Sequence, residues 1–169
     1  MADPREHTKD RNVFESILRK IPGFKGYLEK EYRRDSDALQ REWITDRLQQ
    51  AKRAIDAKSR ELADAAEIDA LPMFDRLRGK VDKLIGRVQS ASRGYSGIFD
   101  LVRIDEAVLD RVYEFDANLL ETCDAFAAEL EKIGDSDSPP AEAARDLIGK
   151  TDKIEQLLDD REKILKGLD

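Results

Sequence analysis

Few residues in this 169-residue chain are of a type and spacing that could do chemistry. Its one histidine, His7, stands in a polar N-terminal stretch. A di-iron carboxylate bundle would need Glu-x-x-His on two helices, and zinc needs clustered Cys or His; neither pattern occurs. Asp135-Ser136-Asp137 lacks the length and terminal Glu of a calcium loop and reads as a solvated turn. Cys123 falls in an apolar helical stripe with Leu119 and Phe126, where a thiol behaves as a small buried hydrophobe. No nucleophile elbow, P-loop or dinucleotide fingerprint is present. Gly94-Tyr95-Ser96-Gly97 matches the RNA-clamping turn in letters only, because its flanks are helical. Glu114 and Asp116 flank Phe115 and point to different sides of a helix. One carboxylate arrangement has more content: Asp100, Asp105 and Asp116 meeting Arg93 or Arg103 as buried ion pairs that lock a bend. The residues thus predict no catalytic, metal or cofactor-binding group, and no small-molecule substrate.

The elements that would position these residues are helical. Apolar residues recur at helical spacing and no useful stretch alternates with period two. The expected fold class is all-α: an elongated antiparallel helical bundle with coiled-coil-like packing, of about four main helices plus a short N-terminal one. A first helix over 8–20 carries Val13, Phe14, Ile17, Leu18 and Ile21 on one face, and Pro22-Gly23 stops it. A long second helix over 28–71 keeps a stripe through Tyr32, Leu39, Trp43, Leu48, Ala51, Ile55, Leu62, Ala65 and Ile68, with a shift near Trp43-Ile44. A third helix starts at Pro72 and carries Phe74, Leu77, Val81, Leu84, Val88 and Ala91. A fourth follows Asp105, with Val108, Val112, Phe115, Leu119, Cys123, Phe126, Leu130 and Ile133. The last follows Ser138-Pro139, with Ala144, Leu147, Thr151, Ile154, Leu158, Arg161, Leu165 and Leu168 in heptad-like steps. This divides the chain into a tail, amphipathic helix and aromatic turn (1–27), a bundle core (28–133), and a loop with a C-terminal heptad helix (134–169).

Charge narrows the partners. The chain holds 30 Lys/Arg against 37 Asp/Glu, for a net charge of -7. That acidic balance argues against general nucleic-acid binding, and the cations of the long helix interleave with acids at i,i+3 and i,i+4 spacing. No run approaches the length of a membrane span and the N-terminus has no apolar signal core. A single cysteine fits a reducing, cytoplasmic setting. Residues 1–34 carry nine cations and six acids, a local +3 ahead of an acidic remainder. A basic amphipathic helix of this kind is one form of peripheral membrane anchor, with Phe14, Ile17, Leu18, Arg19 and Lys20 as its contacts. The other expectation is that this helix docks on the bundle, apolar face inward.

Four segments carry a resemblance. Ile21-Pro-Gly-Phe-Lys-Gly-Tyr27, Lys30-Glu-Tyr-Arg-Arg-Asp35, Ala91-Ser-Arg-Gly-Tyr-Ser-Gly-Ile-Phe-Asp100 and Tyr113-Glu-Phe-Asp116 together resemble a widespread set of uncharacterised prokaryotic helical proteins. The resemblance spans roughly 17–133 and implies a helical fold and a cytoplasmic prokaryotic origin, with no activity attached. The architecture also resembles that of phage-shock-protein A and its relatives, which have a basic amphipathic helix before a long hairpin and remodel membranes.

The reading is therefore a non-enzymatic helical interaction or scaffold protein that binds a protein partner, or itself, through a helix face. Peripheral membrane association is the alternative. Polar Thr151 and Arg161 in the last stripe suggest a helix that packs incompletely, leaving Leu147, Ile154, Leu158 and Leu165 for a partner, with Arg161 at the seam edge and its head in water. Phe24 and Tyr27 are expected to cluster at one end with Gly94, Tyr95, Gly97 and Phe99, where glycines let backbones approach.

Overall fold

The computed structural model describes residues 4–27, 29–95 and 106–166, and the side chains of all of these except 4–10, 30, 91–95 and 106. These residues form five helices and no strand. They are α1 (Pro4–Lys20), α2 (Lys30–Asp64), α3 (Leu71–Tyr95), α4 (Glu106–Glu131) and α5 (Pro140–Lys166). Short 3-10 turns over Ile68–Ala70 and Ile133–Asp135 lie at the distal end. The fold is an all-α helical bundle.

Two hairpins, α2/α3 and α4/α5, make the body. Cross-helix ion pairs give their directions. In α2/α3, Lys52 meets Asp82 and Asp56 meets Arg78, so the two helices of the hairpin run antiparallel. In α4/α5, Glu129 meets Lys150 and Asp116 meets Arg161, again antiparallel. Between hairpins the neighbours are parallel. Lys80, Lys83 and Arg87 of α3 meet Asp152, Glu155 and Asp159 of α5 at a constant sequence offset. Arg47 of α2 meets Asp124 and Glu131 of α4. Among the described residues neither diagonal pair, α2/α5 nor α3/α4, packs backbone to backbone. Consecutive helices α3 and α4 thus stand across a diagonal, and the expectation of a wholly antiparallel bundle holds only within each hairpin. Apolar stripes would suit either docking of two hairpins; the matched charges of α3 and α5 distinguish the one seen.

The core is the sum of the stripes: Leu48, Ala51, Ile55 and Leu62 of α2, Phe74, Leu77, Val81, Leu84 and Val88 of α3, Leu119, Cys123, Phe126 and Leu130 of α4, and Ala144, Leu147 and Ile154 of α5 are all buried. α2 ends at Asp64, seven residues before the expected stop. Ala66 takes φ 58°, and Glu67 N–H donates to Leu62 O at 2.9 Å while Ala66 N–H donates to Ala63 O at 3.1 Å. That is a Schellman termination with alanine where glycine is usual, so no glycine marks it in the sequence. Beyond it Ala65 and Ile68, assigned to the stripe, are exposed.

α1 packs on the outer side of α4. Ile17 is buried, Phe14 is half-buried, and Leu18 and Arg19 face outward. The apolar face is therefore turned onto α4. The outward amphipathic surface that a membrane anchor would need from Phe14, Ile17, Leu18, Arg19 and Lys20 is reduced to Leu18 and Arg19. No helix among the described residues is long and apolar enough to cross a membrane.

Candidate functional site

Five buried polar residues, Ser36, Asp37, Gln40, Asp116 and Arg161, gather at the proximal end, where α1 turns into α2. The turn Ile21–Tyr27 uses two glycines at φ 86°, Gly23 and Gly26. Left-handed backbone suits glycine. At Gly26 space matters as well: a Cβ would collide with the Tyr113 hydroxyl and lie 3.0 Å from the Phe14 ring. Gly26 therefore lets the backbone reach α4, where Tyr27 N–H donates to Tyr113 Oη at 2.7 Å. Ser36 Oγ donates to Gly26 O at 3.0 Å and accepts from Lys25 N–H at 3.2 Å. Arg33 Nε donates to Tyr27 O at 2.6 Å. Four rings seal the turn. Phe14 lies edge-on to Tyr113 with centroids 5.4 Å apart, Phe24 is edge-on to Tyr27 at 5.4 Å, and Tyr27 stacks on Tyr113 at 5.4 Å.

Beneath the rings lies a buried ionic layer. Arg161 of α5 is 5% exposed and reaches across the bundle. Its Nε donates to Asp116 Oδ1 at 2.6 Å, and one terminal nitrogen donates to Asp37 Oδ1 at 2.9 Å and to Gln40 Oε1 at 3.2 Å. Arg41 pairs with the other oxygen of Asp37. Tyr27 Oη donates to Asp116 Oδ2 at 2.6 Å. Burial, and then the Asp116 charge, push the Tyr27 phenol well above its ordinary range, so it stays a donor. Among the described residues, two arginines match two aspartates in this layer. Gln40 keeps its amide nitrogen buried without a partner. The layer joins the turn, α2, α4 and α5, and its Arg161–Asp37 bond spans a diagonal whose backbones do not touch among the described residues.

Several expectations change here. Arg161 does not sit at a seam edge with its head in water; it is the centre of a buried cluster. Asp116 does pair in the interior, but with Arg161 of α5, where Arg93 or Arg103 had been expected. The side chain of Arg93, and Asp100, Arg103 and Asp105, lie outside the described residues. Leu147, Ile154 and Leu165 are buried and Leu158 is half-buried, so α5 leaves no apolar strip for a partner. Phe24 and Tyr27 are buried together, with Phe14 and Tyr113 as their companions. Gly94 lies in the last turn of α3, while the Tyr95 side chain, Gly97 and Phe99 fall outside the described residues. Asp37, Gln40 and Ser36 are not singled out by the sequence, and Tyr113 is singled out only as part of the Tyr113–Asp116 segment. A usable signal existed in α4, where Asp116 falls three and four residues from Leu119 and Val112.

A second polar region faces outward on the same helix. Ala38, Arg41, Glu42, Thr45, Asp46 and Gln49 of α2 form a cleft of about 330 Å³ with Val88 and Gln89 of α3. Thr45 and Val88 are its buried floor; Glu42 and Asp46 are its exposed rim. Neither rim carboxylate bonds to a described residue, nor does the Thr45 hydroxyl. Lower in the same seam the carboxylates of Asp56 and Asp82 are paired.

Cys123 is buried, and burial pushes its thiol up to about 12, which makes it inert as a nucleophile at neutral pH. No group of three or more His, Cys, Asp or Glu among the described residues is placed to hold a metal ion. Comparison with protein-family models, with curated proteins and with solved structures found no match to this chain.

Proposed function

We propose that the protein is a non-enzymatic helical scaffold that binds a protein partner, or a second copy, through one helix face, and that this face is the α2/α3 cleft. One observation carries the reading. Glu42 and Asp46 bond to no described residue, stand one turn apart on the rim of the cleft, and flank Thr45, a buried residue whose hydroxyl also bonds to none. Like charges at i,i+4 disfavour a helix slightly, and cations supplied by a partner would remove that repulsion. The closed proximal layer supports this by holding α2 rigid, since a recognition face works best on a fixed element.

The bundle itself carries one helix on an outer face. α1 rests on α4 by a buried aliphatic anchor (Ile17), an aromatic contact (Phe14 on Tyr113) and a cation on a carboxylate (Lys20 Nζ to Asp124 Oδ2, 2.8 Å). The same grammar suits the α2/α3 cleft. The test is affinity purification of the tagged full chain from cells that make it, with sedimentation of the purified chain. A stoichiometric, salt-sensitive protein partner or a stable self-complex is expected. A chain that sediments as a monomer and retains no protein above the tag control would overturn the reading.

A further inference from the structure

The chemistry of the cleft defines its occupant. Resting on the reading above, we infer that the α2/α3 cleft takes a cationic helix of a protein partner, one that presents two Lys or Arg residues about one turn apart on either side of a small residue.

Each part of that description answers a feature of the cleft. Glu42 and Asp46 are i,i+4 on α2, about 6 Å apart along its axis at 1.5 Å per residue. Cations one turn apart on a facing helix match that separation, and each would relieve a carboxylate that has no partner of its own. The floor is shallow and part polar. Ala38 adds no bulk at one end of the rim, and the Thr45 hydroxyl, on a residue 7% exposed, opens into the cleft without a hydrogen bond. A small side chain between the two cations would let the partner backbone approach, with the hydroxyl available to a polar atom at the contact. The cleft runs between two antiparallel helices, which is the shape a third helix fills by ridge-into-groove packing. A polyanion such as RNA would meet the two rim carboxylates with like charge, which favours a protein occupant.

The arrangement of charge around the cleft supports its use as a distinct surface. Arg41 also lines the cleft, and its guanidinium is paired with Asp37 and bonds to neither Glu42 nor Asp46. Further down the hairpin, Lys52 and Arg78 are committed to Asp82 and Asp56. The rim carboxylates are therefore neighbours of cations that are held elsewhere by shorter-range partners. An incoming cation competes with no ion pair formed by Glu42 or Asp46.

The experiment uses the full chain, isotopically labelled, and a synthetic alanine-rich helical peptide carrying two arginines four residues apart. Titration at low ionic strength is followed by amide shifts. The expected shifts concentrate on residues 38–49 and 85–89 and saturate. The same peptide with glutamine for arginine, and the chain carrying Glu42→Gln and Asp46→Asn, should each lose at least tenfold in affinity. Thr45→Val should lose severalfold while leaving the melting temperature within a few degrees. Shifts centred on the acidic distal turn around Glu67, Asp69 and Asp135, or spread evenly over every exposed carboxylate, would overturn the proposal. So would undiminished binding to the doubly neutralised chain. A native partner that co-purifies equally with the wild type and with the doubly neutralised chain would refute the cleft and leave the scaffold reading standing. Absence of any partner for either chain would remove both.

Discussion

The proximal ionic layer and the α2/α3 cleft share one helix and treat charge in opposite ways. Asp37, Gln40 and Arg41 belong to the layer, and Glu42, Thr45 and Asp46 to the cleft a few residues on. Arg41 touches both. Inside, each carboxylate meets a guanidinium, because an uncompensated charge in the interior costs several kcal/mol. Outside, water solvates Glu42 and Asp46, and their lack of partners costs little. The difference teaches where this chain can afford to hold chemistry in reserve. A buried group must be matched when the protein folds; an exposed one can wait for a partner.

The largest effect is expected where the matching is broken. Arg161→Met removes the cation shared by Asp37 and Asp116 while filling much of its volume. Two carboxylates with 2% and 0% side-chain exposure then lose their common partner. A destabilisation of about 3–5 kcal/mol should follow in urea denaturation, the range for breaking a buried pair from one side. A loss below about 1 kcal/mol, typical of surface pairs, would mean that the layer is not dry and would erase the comparison.

Next comes the turn that covers the layer. Gly26→Ala adds a Cβ at φ 86° against the Tyr113 hydroxyl, and the strain should displace the Tyr27 N–H bond. The expected cost is about 1–3 kcal/mol, from a strained backbone position together with a lost buried contact. Gly86→Ala is the control. It lies within α3, where a Cβ meets nothing within 4 Å, and alanine should stabilise that helix by about 0.8–1.0 kcal/mol. Opposite signs for the two glycines in thermal melts would locate the rigidity in the turn.

A smaller effect tests the edge of the closed region. Hydrogen bonds from Lys20, and then from Arg47, hold the Asp124 carboxyl below its ordinary range. A depressed folded value contributes stability that is present above the unfolded pKa, about 3.9, and is lost as pH falls through the lower folded value. Asp124 is 38% exposed at its side chain, so solvent screening limits the contribution to under about 1 kcal/mol. Asp124→Asn should flatten the acid limb of the stability profile below pH 4 and loosen α1, seen as faster amide exchange over residues 11–20.

Much of the fold could be read before any coordinates. The α3 stripe from Phe74 to Val88 and the α4 stripe from Leu119 to Leu130 are apolar at every core step, so periodicity alone reports them. The first half of α2 was legible only as a shift of stripe near Trp43-Ile44. Its buried face is Ser36, Asp37, Gln40, Ile44 and Thr45, and a hydrophobic pattern cannot announce a polar core. Arg161 was visible at a core step of α5, yet an arginine there is consistent with a snorkelling edge as well as a buried pair. Choosing between them requires knowing that Asp37 and Asp116 arrive opposite, 124 and 45 residues away. Hairpin docking was hidden for a related reason. Connection lengths constrain each hairpin, but the pairing of α3 with α5 follows from charges matched at long range.

The smallest prediction has the opposite sign to the largest and bears most directly on the cleft. Glu42→Gln removes one of two like charges at i,i+4 on an exposed helix face, keeps the side chain's length and helix propensity, and breaks no ion pair. It should raise stability by about 0.2–0.5 kcal/mol at low ionic strength, the size of such a repulsion. Screening adds a second signature: the gain should shrink as salt shortens the Debye length from about 30 Å at 0.01 M to about 3 Å at 1 M. Paired denaturation curves at those two ionic strengths, for the wild type and the variant, measure both. A loss of stability on neutralisation would mean that Glu42 is held by a favourable contact in the free protein. The cleft would then be closed in the same sense as the layer, and no charge would remain on it to recruit a cationic helix.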